Sequence, residues 1–426
     1  MQTNLRKWAM AAAVAAIGSV SAALPAAASE VVGYYPGWKS DAFAVTAANV
    51  DAGKLTMALY AFVDLCWDGK HGNPEPSVNL VAPCQEPLNG ALAFRDEAAD
   101  GANLRALVAL KKNHPKFKVV VSVGGWDWSN RFSNVADSAE ARANFIASSL
   151  RLMRRYGLDG IDIDWEYPTE AGVPCVAGET CARPQDKQNF ITLARELRAA
   201  FDAAGEKDRK HYVITIAAGG NANYINDAGG GGWIKELAKS LDWINIMAYD
   251  FHMPWEKNSG HHAALYADAK DPVAASAFHA SGAVERYLEA GIAADKLVLG
   301  VPFYGYGWKG CAPGADGDGQ YQACDGGATG GVNGGNAYGF SHLLKQGMLT
   351  PSFEGGNGYR RYWNVSARVP YLYNAREQIW ISYEDQASLK EKARYIKRQG
   401  LRGAMFWELS ADGEHQLLRT LSEAMR

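Results

Sequence analysis

Asp159-Gly160-Ile161-Asp162-Ile163-Asp164-Trp165-Glu166 is the stretch whose reading decides the fold. Side chains along a strand alternate between its two faces. Asp162, Asp164 and Glu166 therefore share one face, and Ile161, Ile163 and Trp165 share the other. The apolar face suits a surrounding ring of helices. The acidic face must then point into a barrel, where three stacked carboxylates are expensive.

Working outward, seven more short apolar runs read as strands: Val31–Tyr35, Thr56–Val63, Lys118–Val123, Tyr212–Ala217, Trp243–Tyr249, Leu297–Pro302 and Gly403–Trp407. With Gly160–Glu166 they make eight. Between them, Asn103–Lys112, Ala139–Tyr156, Lys187–Ala203, Trp233–Ser240, Ala280–Ala290 and Gln386–Gln399 carry apolar residues at helical spacing. Strand–helix alternation argues a parallel sheet. Eight strands closing on themselves make a TIM (β/α)8 barrel, whose chemistry sits at the C-terminal strand ends. An open doubly wound sheet is the alternative, but no G-x-G-x-x-G follows the first strand. One interval breaks the rhythm, from Trp308 to Trp380. A structureless loop of that length is unusual. Residues 309–379 are therefore expected to form a small α+β insertion between strands 7 and 8, with Gly326–Gly335 a flexible surface loop.

Residues 1–28 read as a signal peptide. Arg6 and Lys7 precede a small apolar run, and Ala26-Ala27-Ala28 offers a cleavage site. The remaining 29–426 form the barrel domain. Removing 1–28 takes away those two cations and no acid, so the formal charge moves from −3 to −5. A mildly acidic surface suggests neither nucleic acid nor a membrane as partner. In an exported chain the six cysteines, Cys66, Cys84, Cys175, Cys181, Cys311 and Cys324, read as disulfides. They fall into three local pairs, although spacing leaves other pairings open. No Cys-x-x-Cys or ligand-spaced histidine favours zinc. His252, His261 and His262 match no metal motif, and Asp316-Gly317-Asp318-Gly319 lacks the rest of a calcium loop and reads as a turn. No metal and no cofactor is expected.

Carboxylates crowded on one inward face cannot all ionise comfortably, so their pKa values are driven apart. That separation suits acid–base work at one bond. Glu166, nearest the strand end, is the candidate general acid. Asp164 behind it holds the proton or stabilises positive charge, and Asp162 lies deepest. Asp159, out of phase, reads as structural. Ser122 has no nucleophile's partners and reads as a hydrogen-bonding tuner of the acids. Tyr34, Trp38, Trp126, Tyr167, Tyr249, Trp255, Tyr304 and Trp407 fall at or just past strand ends. Their flat faces suit stacking on pyranose rings.

The acidic strand resembles the D-G-x-D-x-D-x-E signature of glycoside hydrolase family 18, the chitinases. Ser122-Val123-Gly124-Gly125 resembles that family's S-x-G-G on the third strand, Met247-Ala248-Tyr249-Asp250 its M-x-Y-D on the sixth, and Phe406-Trp407-Glu408 its eighth strand. Gly33-Tyr34-Tyr35-Pro36-Gly37-Trp38 and the insertion fit as well. The resemblance implies a retaining, substrate-assisted mechanism, with Glu166 as acid, Asp164 and Asp162 in support, and Tyr249 and Asp250 orienting an acetamido group. It implies Tyr34, Trp38, Phe62, Trp126, Tyr167, Met247, Tyr304 and Trp407 as substrate contacts, with Trp407 as the floor. Phe62 reads equally well as core. One departure stands out: many members carry arginine two residues after the seventh strand's tyrosine, where this chain has Tyr306.

With the signal peptide, the resemblance implies a secreted, bacterial chitinase, in the medium or the periplasm, acting on chitin or chitooligosaccharides, and a monomer is expected. A chitin-binding lectin on the same barrel and an endo-β-N-acetylglucosaminidase acting on glycoproteins are the alternatives. The presence of Glu166, Asp164 and Tyr249 counts against the lectin.

Overall fold

The computed structural model describes residues 29–38, 46–72, 82–175, 179–226, 230–273 and 278–426. The expected signal peptide, 1–28, lies outside them. Eight parallel strands close a barrel: β1 (Glu30–Pro36), β2 (Met57–Leu65), β3 (Lys118–Gly124), β4 (Gly160–Asp164), β5 (Val213–Gly219), β6 (Trp243–Met247), β7 (Leu297–Pro302) and β8 (Gly403–Trp407). Each pairs with its sequence neighbours, and β1 pairs with both β2 and β8, which closes the ring. The TIM barrel read from the sequence is the observed fold.

Local sequence explains how the chain reaches β4. Ser138 caps the preceding helix Ala139–Tyr156 by accepting from Ala141 N. Arg154 and Arg155 occupy its last turn, and Gly157 at φ 73° ends it in the left-handed region. Asp159 then locks the strand's entry: it takes Lys111 Nζ at 2.8 Å, Lys210 Nζ at 2.8 Å and Val119 N at 2.8 Å. Along β4 the alternation holds. Ile161, Ile163 and Trp165 join the large core between barrel and helices. Trp165 lies between Phe132 and Phe190, with ring centroids 5.4 and 5.2 Å away. A smaller core inside the barrel contains Val32, Met57, Leu59, Val120, Val298 and Met405.

Two strands end earlier than expected. β4 stops at Asp164, because Glu166 N donates to Ser129 Oγ at 2.8 Å instead of joining the ladder. β6 stops at Met247, two residues before Tyr249. Between β7 and β8 lies a second, six-stranded sheet built from Tyr304–Lys309, Gly326–Gly327, Ala337–Gly339, Arg360–Asn364, Val369–Asn374 and Ile379–Ser382, with a short helix Phe340–Lys345. The sheet thus runs from Tyr304 to Ser382, wider than the 309–379 span expected. The glycine run Gly326–Gly335 is not a plain loop: Gly326 and Gly327 pair with Lys309 and Trp308, and Gly331 N donates to Gly335 O at 2.8 Å. Asp318 sits in a turn and accepts from Tyr371 OH at 2.5 Å.

The cysteines form Cys66–Cys84, Cys175–Cys181 and Cys311–Cys324, the three local pairs. Among the described residues, no helix is long and apolar enough to cross a membrane.

Candidate active site

The carboxylates of β4 point into the barrel and rise toward its C-terminal mouth. Asp162, deepest and fully buried, accepts four hydrogen bonds: from Thr215 Oγ1 at 2.5 Å, Ser122 Oγ at 2.7 Å, Tyr34 OH at 3.0 Å and Asn245 Nδ2 at 3.3 Å. Register places two of these donors, because Ser122 on β3 and Thr215 on β5 both lie beside Asp162. Asn245 is held in turn by Trp243 Nε1 at 3.0 Å. Burial pushes the Asp162 carboxyl up, and the four donors oppose that shift.

Asp164 has no such cage. It is 3% exposed, and its Oδ1 has no hydrogen-bond partner among the described residues. Burial first, then the charges of Glu166 and Asp162, hold its carboxyl well above the usual carboxylate range. Glu166, half-buried at the strand's end, is pushed up to about 8, chiefly by burial and further by Asp250 and Asp127; a hydrogen bond with Tyr167 pulls the other way. No lysine or arginine is among the groups that shift Asp164 or Glu166. At neutral pH this group of acids therefore keeps a proton where a substrate can reach it.

The turn after β3 holds Glu166 in place. Gly124 and Gly125 have φ of 101° and 79°. A Cβ on Gly124 would lie 2.4 Å from Asp164 O, and one on Gly125 would lie 2.5 Å from the Phe62 ring, so both must be glycine. Gly125 N donates to Asp164 O at 2.8 Å. Ser129 Oγ lies 2.8 Å from Gly125 O and 3.0 Å from Asp164 O, and it accepts from Glu166 N. Ser129 thus joins the ends of β3 and β4. Nothing in the sequence singles it out. Thr215 and Asn245 did carry a signal, as lone polar residues inside apolar strands.

An aromatic floor faces the acids. Trp407 stacks on Phe62 at 5.6 Å and 17°, and Phe62 stacks on Trp38 at 5.8 Å and 20°. Tyr34 was expected to touch substrate. It is 1% exposed, packs beneath Trp407 at 5.2 Å and spends its hydroxyl on Asp162, so it belongs to the support. Met247 is likewise packed with this inner group. Trp38, Trp126 and Trp255 are exposed, Trp255 most of all at 75%. Tyr249 lies edge-on to Tyr304 at 6.3 Å. Asp250, at φ 59°, accepts from Tyr304 OH at 2.6 Å. Its carboxyl reaches the cleft, yet the surrounding atoms desolvate it and push it up to about 6.

The histidines are engaged elsewhere. His252 lies between Glu256 at 2.7 Å and Asp271 at 3.0 Å. His261 meets Gln320 and Asn364, and His262 meets Ser382 and the Tyr304 carbonyl.

The model of glycosyl hydrolases family 18 matches residues 30–412. This chain belongs to family 18. Chitinase A1 of Niallia circulans is 41% identical to it over 419 residues, which cover 92% of this chain. The chain spans 58% of that relative's length. Among solved structures of the family, chitinase ChiA74 from Bacillus thuringiensis superposes with a TM-score of 0.84 at 39% identity, over 94% of this chain and 70% of that one. A family 18 N-acetylglucosaminidase from Paenibacillus barengoltzii superposes with a TM-score of 0.71 at 31% identity, over 93% and 99%.

Proposed function

We propose that this protein is a secreted chitinase that cleaves β-1,4-linked N-acetylglucosamine polymers with retention of configuration. The observation that carries the reading is Glu166, with its carboxyl pushed up to about 8 at the top of an acid ladder facing an aromatic floor. A proton held there at neutral pH is what a leaving alkoxide needs. The stacked Trp407, Phe62 and Trp38 match the alternating apolar faces of a sugar chain.

Family 18 lacks the usual nucleophilic protein carboxylate, and the substrate supplies its own. Glu166 gives its proton to the glycosidic oxygen as the acetamido carbonyl oxygen bonds to the anomeric carbon. The glycosidic bond breaks and an oxazolinium ion forms. Asp164 stabilises that cation through the acetamido nitrogen, and Asp162, caged by four donors, sets the charge behind it. Tyr249 and Asp250 orient the acetamido group. Water, deprotonated by the Glu166 carboxylate, then attacks the anomeric carbon from the face the leaving group occupied. This regenerates both the acetamido group and the acid. The sugar in the cleaved position must therefore carry an N-acetyl group. Trp126, Tyr167 and Tyr304 complete the walls, residues 1–28 direct export, and the protein works as a monomer.

Glu166→Gln tests the reading. Hydrolysis of chitooligosaccharides should fall by about 10²–10⁴-fold, with binding largely kept. Wild-type-like turnover in that variant would sink it. Proton NMR of fresh product should show the β-anomer first, and an initial α-anomer would rule out retention. Product profiles on chitin and on a high-mannose glycoprotein separate a chitinase from an endo-β-N-acetylglucosaminidase.

A further inference from the structure

Among the described residues, no cation is paired with Asp250. The groups that shift its carboxyl are burial and the hydroxyls of Tyr304 and Tyr306. Both tyrosines sit on one strand, Tyr304–Lys309, two residues apart and so on one face. The opposite face has no room for side chains: a Cβ on Gly305 would lie 1.9 Å from Ser382 O, and one on Gly307 would lie 2.6 Å from the Tyr338 ring. The strand therefore presents its phenols in one direction only. Tyr304 OH donates to Asp250 Oδ1 at 2.6 Å, and the Tyr306 hydroxyl, on the same strand face, is among the groups that hold the Asp250 carboxyl down. The two rings meet edge to face at 5.5 Å and 83°.

Behind them stands His262, wholly buried, with ring centroids 5.5 Å from Tyr304 and 5.6 Å from Tyr306. Its Nε2 lies 3.0 Å from the Tyr304 carbonyl, which can only accept, so Nε2 carries the hydrogen. Nδ1, 2.8 Å from Ser382 Oγ, then accepts. Burial holds this imidazole down at about 3, so it stays neutral at working pH. One uncharged ring thus ties the first and last strands of the inserted sheet together under both phenols.

We propose that Tyr306 is a positioning residue for the reaction: set beside Tyr304 on one strand face and buttressed by His262, it directs a second phenolic hydroxyl at Asp250 where, among the described residues, no cation stands. The proposal rests on the reading of Asp250 as the group that orients the acetamido. A hydroxyl donor fixes a carboxylate's direction but stabilises its charge less than a guanidinium does. The charged and titratable groups around Asp250 fit this picture. Glu166 faces it from just past the end of β4, Tyr249 precedes it on the chain, and Tyr304 and Tyr306 face it from the inserted sheet. The competing role for Tyr306 is packing, since its ring also touches the cluster around Trp308 and Tyr371.

Tyr306→Phe keeps the ring and removes the hydroxyl. Two readouts are taken on the intact protein: kcat and KM on chitooligosaccharides, and the titration of the Asp250 carboxyl by carbon-13 NMR. In Tyr306→Phe, kcat should fall about tenfold, as for loss of one hydrogen bond to a charged group, with KM within about threefold. The Asp250 midpoint should move up, because a donor to the charged form is gone. Tyr306→Arg should carry the midpoint below the parent's and restore part of kcat. An unmoved midpoint in Tyr306→Phe overturns the proposal, and so does a fall in kcat that merely follows a lowered Tm. The titration needs no turnover. A parent inactive on these sugars would count against the functional reading, while the midpoint would still decide Tyr306.

Discussion

Strand β4 carries an acid near each end, and the fold treats the two differently. At the entry, Asp159 sits between Lys111 and Lys210, each with Nζ 2.8 Å from a carboxylate oxygen. At the exit, Asp164 is buried beside Glu166 and Asp162, and among the described residues one of its oxygens has no partner and no cation is among the groups that shift it. Both acids come from one short segment, so composition alone does not separate them. What separates them is which end of the barrel receives lysines from neighbouring elements. The entry is built for stability, and the exit gives up stability for a proton held at an elevated pKa.

The largest effect expected from breaking this contrast is at the exit. Asp164→Asn removes the charge that the proposed oxazolinium step uses, so kcat should fall about 10²-fold, or roughly 2.7 kcal/mol of transition-state stabilisation. The same change relieves repulsion within the acid group and should raise Tm. Calorimetry alongside kinetics checks both signs. A variant that loses activity and stability together would mean that Asp164 is structural. The entry should behave in the opposite way. Asp159→Ala should cost about 1–2 kcal/mol in denaturant unfolding and leave kcat of the folded enzyme unchanged. The cost stays below that of a broken, fully buried pair because the Lys111 and Lys210 side chains, 24% and 30% exposed, can turn to water. A tenfold loss of kcat in that variant would erase the distinction between the two ends.

Much of this was legible in the sequence. The period-two alternation of Asp and Ile across β4 fixed which face is inward, and strand–helix alternation gave the barrel. Three acids in phase marked the chemistry. Other features depend on contacts between segments distant in sequence. Ser129 acts because the turn after β3 folds back over the end of β4. Tyr34 sits where substrate contacts were expected, but Asp162 lies close enough to claim its hydroxyl and Trp407 covers its ring. The inserted sheet begins at Tyr304, earlier than its aromatic content suggested, because pairing with Ala337–Gly339 and Ile379–Ser382 extends it. Glycines 326 and 327 looked like loop and instead pair with Lys309 and Trp308, since backbone pairing needs no side chain.

The smallest effect sharpens the contrast through pH. In the fold, Glu166 is pushed up to about 8, whereas an unfolded glutamate titrates near ~4.3. Below that lower value both states hold the proton, and Glu166 costs the fold nothing. As pH rises between the two, the folded state keeps a proton that the unfolded state has released, so stability falls with pH until the folded group ionises. Asp164, raised by the same crowding, adds to this slope, and the two titrate as a pair. Glu166→Gln removes the titrating group. The variant's Tm should match the parent's near pH 4 and exceed it by a few degrees near pH 8, the gap opening across that window. An offset that is the same at both ends of the range would show that glutamine acts by packing, and that the exit of β4 stores no charge cost.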